Sequence, residues 1–375
     1  MRRTPLAAAV SSRAVVFFVG YLAVIVFGYA GGRPPVRDFD NELRNLPSRF
    51  DARWYLQIAT SGYSFDSHAA ADVQQNVVFF PAFPMAIRAA APLFGGGMAG
   101  AMAAGTVLSL LAFVVALVYL HRFTEDSRGA PEATIWLLAF YPFAIFYGAI
   151  YTESLFLLAT VAAVYHAGRG QQARAAAWAA VAGLTRPNGL LLSVLLAGIG
   201  LRRSAGQPRA RATALGVACA PLLGALAYSA FLWRMTGDPW IWARGHVAWG
   251  RTYQGLTALV ANRYEMIANG GIARYLADLP HDALNGLGAI FVLATVWPVA
   301  RMLGIEYAAW MLLTLLPPLA AGGLISAGRF SSVLFPAFVW LGSAVPARQL
   351  PGWIGIFAAF EALCATMFYT WRPLY

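Results

Sequence analysis

An all-α polytopic membrane protein is the fold class this sequence predicts, and three observations carry it. Of the 375 residues, 59% are hydrophobic and only 11% are charged, against about 25% charged in an ordinary soluble domain. The mean hydropathy is +0.61. The apolar residues gather into runs of membrane-spanning length, and the short connections between them are rich in arginine.

The expected spans, in chain order, are 14–30, 98–121, 130–148, 151–168, 212–233, 284–302, 305–323, 331–347 and 351–370. The opening MRRTPLAAAVSSR and the apolar run after it resemble a signal peptide. No small-residue cleavage site precedes GGRPPVRD, so a retained first span is expected. Arginines mark the cytoplasmic connections: Arg2, Arg3 and Arg13, then Arg122 and Arg128, Arg169 and Arg174, Arg202, Arg203, Arg209 and Arg211, Arg301, and Arg348. Both flanks of 175–201 are arginine-rich and belong on one side. That segment is therefore two short helices bent at Thr185-Arg186-Pro187-Asn188, where proline breaks the helix. The same parity argument makes 76–94, with Pro81, Pro84, Arg88 and Pro92, an interfacial helix. The sum is a single integral-membrane domain over 1–375 with about eleven spans, its N-terminus inside and its C-terminus outside. A large first external loop at 31–97 carries interfacial helices, and a second external loop covers 234–283.

All 27 basic residues are arginine, and the formal charge is +11. Topogenic arginine accounts for that excess, so no nucleic-acid partner is implied. Cys219 and Cys364 both lie in apolar runs and suggest neither a disulfide framework nor a metal site. There is no P-loop, GxGxxG, HExxH or CxxC, so nucleotide and zinc chemistry have no support.

Every polar motif falls on the external face of this topology. RFDARWYLQIATSGY at 49–63 has helical spacing, with Trp54, Ile58 and Tyr55 on an apolar side. Asp51 fits two roles there: a helix N-cap, or a carboxylate acting at the membrane boundary. Glu153, in YTES, suits the first turn of a helix, where an acid complements the dipole and Thr152 could cap. Arg186 and Arg329 occupy two separate tips. They could pair with Glu153 or a carbonyl, snorkel to headgroups, or hold a phosphate with their planar forks. TGDPW is a turn, and His246 lacks metal-ligand spacing and fits a loop residue. Trp249, in WGR at 249–251, could stack on a sugar or belong to an aromatic belt.

In this order the motifs resemble the PIG-V-like mannosyltransferases, a family of the GT-C glycosyltransferase superfamily. The resemblance runs through RFDARWYLQIATSGY, VVFFPAFPMAIR, YPFAIFYGAIYTESLF, AGLTRPNGLLL, TGDPW with WGR, and SAGRFSSVLFPAF. The family's Trp-Asp is replaced here by Phe50-Asp51, which keeps the aromatic ring and loses the indole N–H. The short chain and the all-arginine basic set point to a bacterial member, multi-pass in the inner or plasma membrane. The resemblance implies a GT-C-type fold and an active site facing the periplasm or exterior. It implies transfer of a sugar, mannose by family, from a polyprenyl-phosphate donor to a lipid, glycan or protein acceptor, with inversion. Asp51 would be the base, with Glu153 also in the catalytic set. Arg53, Tyr55, Arg186, Asn188, Trp249, Arg251 and Arg329 would bind donor phosphate and substrate. No cofactor follows from the motifs, and a divalent metal stays an open alternative. The competing functions are a lipid-linked sugar transporter and a non-catalytic envelope-assembly protein. A transporter should show paired broken helices in two halves, and only the break at 185–188 is visible.

Overall fold

The computed structural model describes residues 3–204 and 206–374, and among these no strand occurs. Arg2 therefore lies outside the described residues. The α-helices in chain order are α1 Arg3–Phe27, α2 Glu42–Asn45, α3 Ala52–Ser61, α4 Ala82–Ala90, α5 Gly97–Asp126 and α6 Pro131–Ala139. They continue as α7 Glu153–Gly168, α8 Gln172–Thr185, α9 Leu192–Arg203, α10 Pro208–Thr236, α11 Ile241–Arg244 and α12 Leu256–Gly270. The last six are α13 Ile272–Asp278, α14 Pro280–Met302, α15 Ile305–Gly322, α16 Ala327–Ser332, α17 Phe335–Ala344 and α18 Leu350–Tyr369. Helices α1, α5, α10, α14, α15 and α18 are long and apolar enough to cross a membrane. The expected count of eleven thus rests on including shorter segments such as α7 and α17.

Helix α7 explains the layout. Its sequence ESLFLLATVAAVYHAG is apolar all round, and such a helix is stable only when surrounded. Nearly every residue from Glu153 to Ala167 is buried, with α5 on one side and α8 on another. Helices α8 and α9 form the expected bent hairpin, broken by a 3₁₀ turn at Pro187–Leu191, and α10 packs against both. The approach of α10 is close enough that a Cβ at Gly183 would stand 2.0 Å from the Pro221 carbonyl oxygen.

Ion pairs tie one end of the bundle together. Arg169 Nη2 lies 2.9 Å from Asp126 Oδ1, joining the ends of α5 and α7. Arg202 Nη2 lies 2.9 Å from Glu306 Oε1, joining the end of α9 to the start of α15. A Cβ at Gly168, the last residue of α7, would stand 4.0 Å from Arg203 Nη1 at the end of α9, so both flanks of the α8–α9 hairpin are at the same end, as the parity of arginines requires. Glu153 is a full helix length away, about 24 Å at 1.5 Å per residue.

Four boundaries differ from expectation. The first helix begins at Arg3 and includes Arg13, which is buried within it instead of flanking a span. The 130–148 segment divides into α6 and a 3₁₀ turn at Pro142–Tyr147, and 331–347 divides at Val333–Leu334 before α17. Pro142 opens the 3₁₀ turn and Pro336 is the second residue of α17, because proline lacks the N–H that a continuing helix needs and disfavours helical backbone before it. The 76–94 segment is three pieces: 3₁₀ turns at 76–78 and 91–94 with α4 between them.

Candidate functional site

At the end of the bundle opposite the arginine-rich turns, side chains from distant parts of the chain converge on Glu153. Being the first residue of the central helix, Glu153 is fully buried. Its Oε1 accepts from Arg329 Nε at 2.8 Å and from Arg186 Nη1 at 2.9 Å. Arg329 Nη1 donates in turn to Asp51 Oδ2 at 2.8 Å. Asp51 is thus linked through Arg329 to Glu153, and Glu153 to Arg186. The local fold supplies each member. Arg186 ends α8 in extended conformation at the Pro187 break, and Arg329 lies on the short buried α16. Asp51 heads α3, whose residues Ala52, Tyr55, Leu56 and Ala59 form the buried face of an amphipathic turn.

Of the two roles open to Asp51, the helix cap is not made. It occupies the N-cap position of α3, but its backbone is helical and its side chain makes no cap bond. Its N–H donates to the Tyr151 hydroxyl at 3.0 Å, and its carboxylate is committed to Arg329. Likewise Thr152 does not cap α7. Aromatic faces cover the guanidiniums: Arg329 lies over Tyr151 at 4.7 Å and Phe146 at 5.2 Å, and Arg186 over Phe330 at 5.4 Å.

A cavity of about 650 Å³ opens onto this chain of charges. Asp51, Tyr55, Arg186, Asn188, Trp249, Arg251 and Arg329 all line it, and Asp51 is its one acid among the described residues. Among the described residues the Arg251 guanidinium makes one hydrogen bond, to Ile325 O at 3.4 Å, and it lies over the Phe330 ring at 5.5 Å. Burial and the neighbouring Arg329 and Arg186 draw Arg251 down to about 10, still a cation at neutral pH. Three guanidiniums thus face two carboxylates, one positive charge in excess. The far walls are apolar, with Leu190, Leu191, Leu313 and Pro317. Leu313 lies within α15, a helix of spanning length, and is 38% exposed while lining the cavity.

Arg53 is the exception. It forms an ion pair with Asp38 at 2.6 Å and does not reach the cavity. Two positions along a helix turn a side chain by about 200°, so Arg53 points away from the face Asp51 serves. Trp249 forms wall, packed edge-on against Trp54 at 5.9 Å and Phe79 at 5.7 Å. His246 and Trp242 also line the cavity. Nothing in their sequence context marks them apart from belt aromatics and loop residues.

No curated protein matches the chain. Residues 36–205, which supply Asp51, Glu153 and Arg186, match the model of the family described as Mannosyltransferase (PIG-V).

Proposed function

We propose that the protein is a membrane-embedded inverting glycosyltransferase that moves mannose from a polyprenyl-phosphate donor to an acceptor hydroxyl at the extracytoplasmic face. The observation that carries the reading is the excess guanidinium of Arg251 beside Arg186 and Arg329, in a cavity with one acid and an apolar far wall. A phosphate with an apolar tail matches both ends of that cavity. The planar forks hold phosphate oxygens, and the low-polarity wall accepts the isoprenoid.

In this mechanism Asp51 takes the proton of the acceptor hydroxyl as its oxygen bonds to the sugar C1. The C1–O bond to the lipid phosphate breaks on the opposite face, and configuration inverts. The leaving group is already a stable anion, so no general acid is required. Its growing charge falls to Arg251, Arg186 and Arg329. Glu153 keeps the latter two in place. The arginine-rich end, with Arg169 and Arg202, faces the cytoplasm under the same proposal, which sets the cavity on the outer side of about eleven crossings.

The test is transfer by the purified protein from polyprenyl-phosphate mannose to a panel of lipid, glycan and peptide acceptors, with nucleotide-linked mannose in parallel. Transfer from the lipid-linked donor alone is expected. Turnover on the nucleotide sugar alone would defeat the donor assignment. Movement of lipid-linked sugar across vesicles without bond cleavage would make the protein a transporter.

A further inference from the structure

The chain segment 369–374 packs against Arg49 and Phe50, just before Asp51, and reaches Gly328, just before Arg329, through Asn285. On the Asp51 side, Arg49 is wholly buried and donates from Nε to Tyr369 O at 3.0 Å and from Nη1 to Asn45 O at 2.6 Å. Its guanidinium lies over the Trp371 ring at 5.5 Å. Phe50, immediately before Asp51, packs its ring against Trp371 at 4.7 Å and Phe368 at 5.4 Å.

Two backbones here are under strain. Phe50 has φ +47° and Trp371 has φ +62°, both in the left-handed region that side chains with a Cβ avoid. Such conformations persist only where the surroundings over-determine them, and they gather at functional sites. The Phe50 turn is what brings the Asp51 N–H to the Tyr151 hydroxyl and its carboxylate to Arg329.

On the Arg329 side the same segment acts through Asn285. Leu374 is fully buried, and its carbonyl accepts from Asn285 Nδ2 at 2.8 Å. Asn285 Oδ1 accepts from the N–H of Gly328 at 2.8 Å, one residue from Arg329. The segment itself is fixed to the first loop, since the Ala30 N–H donates to Thr370 O at 3.0 Å.

We infer that Trp371 and Asn285 are positioning residues that hold Asp51 and Arg329 in mutual register for the reaction. This rests on the assignment of Asp51 as base. The segment makes none of the cavity wall, so its action passes through Arg49, Phe50 and Gly328. A displacement of about 1 Å at a reacting group costs on the order of 10²-fold in rate.

The experiment measures kcat and donor KM for Trp371→Ala, Trp371→Leu, Trp371→Phe and Asn285→Asp beside Asp51→Asn, with a thermal melt on each preparation. Trp371→Ala and Trp371→Leu are expected to lower kcat by about tenfold to a hundredfold with donor KM little changed. Trp371→Phe, which keeps a planar ring under Arg49, restores most of kcat. Asn285→Asp keeps the acceptor for Gly328 and loses the donor to Leu374, and should fall between. Wild-type kcat in folded Trp371→Leu and Asn285→Asp, with Asp51→Asn inactive, overturns the inference alone. So does a loss confined to KM. Full turnover by Asp51→Asn removes the base assignment and the inference with it. Should Trp371→Ala not fold, Trp371→Leu and Asn285→Asp give the same decision.

Discussion

Two of the arginine–carboxylate clusters among the described residues are built from the same parts to different ends. In one, Arg13 of α1 meets Glu361 of α18 at 2.6 Å, with both side chains almost wholly buried. Arg13 also donates to the carbonyls of Ala144 and Ala139, at the break between α6 and the following 3₁₀ turn. One guanidinium meets one carboxyl group, and backbone carbonyls take further donors. In the other, Arg186, Arg251 and Arg329 line a 650 Å³ cavity with Asp51, and buried Glu153 pairs with Arg186 and Arg329. A sealed pair fastens helices; a surplus of guanidinium facing a cavity is what the proposed phosphate donor would need.

The comparison breaks first on activity. Asp51→Asn should lower kcat by about 10² to 10⁴, the contribution typical of a positioned general base. Its melting temperature should stay close to wild type, because Asp51 makes no cap bond and Glu153 still holds Arg329. Glu361→Gln in the sealed pair should leave kcat within a small factor. Near-normal turnover by Asp51→Asn would reduce the open cluster to a second staple.

Stability gives the next test. Removing one member of a buried ion pair leaves the other charge uncompensated, at about 3–5 kcal/mol. Glu153→Gln strands Arg186 and leaves Arg329 with Asp51 alone, and should show that loss together with loss of transfer. For Glu361→Gln the loss should be at the low end of the range, since Arg13 keeps two carbonyl acceptors, and it should come without a change in donor KM. Parallel melts and kinetics on the two variants separate a fastening role from a functional one. Equal activity losses would erase the distinction.

A smaller effect sharpens the open cluster itself. Arg251→Lys retains charge but exchanges a planar fork for a point charge. Loss of one charge-assisted contact is worth about 1.5–3 kcal/mol, roughly tenfold or more in affinity for polyprenyl phosphate. The melt should barely move, because Arg251 makes one long bond to a carbonyl. Unchanged lipid-phosphate binding would put the phosphate elsewhere.

Much of this was legible in the sequence, for a physical reason. Ionisable groups in apolar sequence are costly, so Asp51, Glu153, Arg186 and Arg329 stand out, and one family's motifs order them. What sequence spacing cannot supply is the partner. Asp51 fits a helix cap until Arg329, 278 positions away, takes its carboxylate. Arg13 passes for a flanking topogenic charge because Glu361 lies 348 positions on, inside a stretch that reads as uniformly apolar. Arg53 shares the motif of Asp51, yet the helical phase turns it to Asp38. The division of 130–148 and 331–347 was within reach: Pro142 and Pro336 lie in the sequence, and hydropathy alone overrode them.

The smallest effect concerns His246, which lines the open cavity beside Arg251. Burial, and secondly the Arg251 charge, lower its pKa from 6.5 to about 4. The folded state thus keeps the imidazole neutral at a pH where the unfolded chain has bound a proton. Linkage gives the sign: stability rises with pH wherever the unfolded state holds more protons. The His246 contribution is fully present above 6.5 and is lost as the pH falls toward 4. Carboxylates titrate in the same window in every variant, so the comparison is between slopes. His246→Gln, which cannot titrate, should show a shallower fall of melting temperature with acidity than wild type, and the two should run parallel above 6.5. Arg251→Gln should recover a lesser part of that difference, because burial is the larger cause. Superimposable melts for wild type and His246→Gln down to pH 4 would mean that this imidazole is solvated, and that the cavity beside Arg251 is wetter than an isoprenoid phosphate site requires.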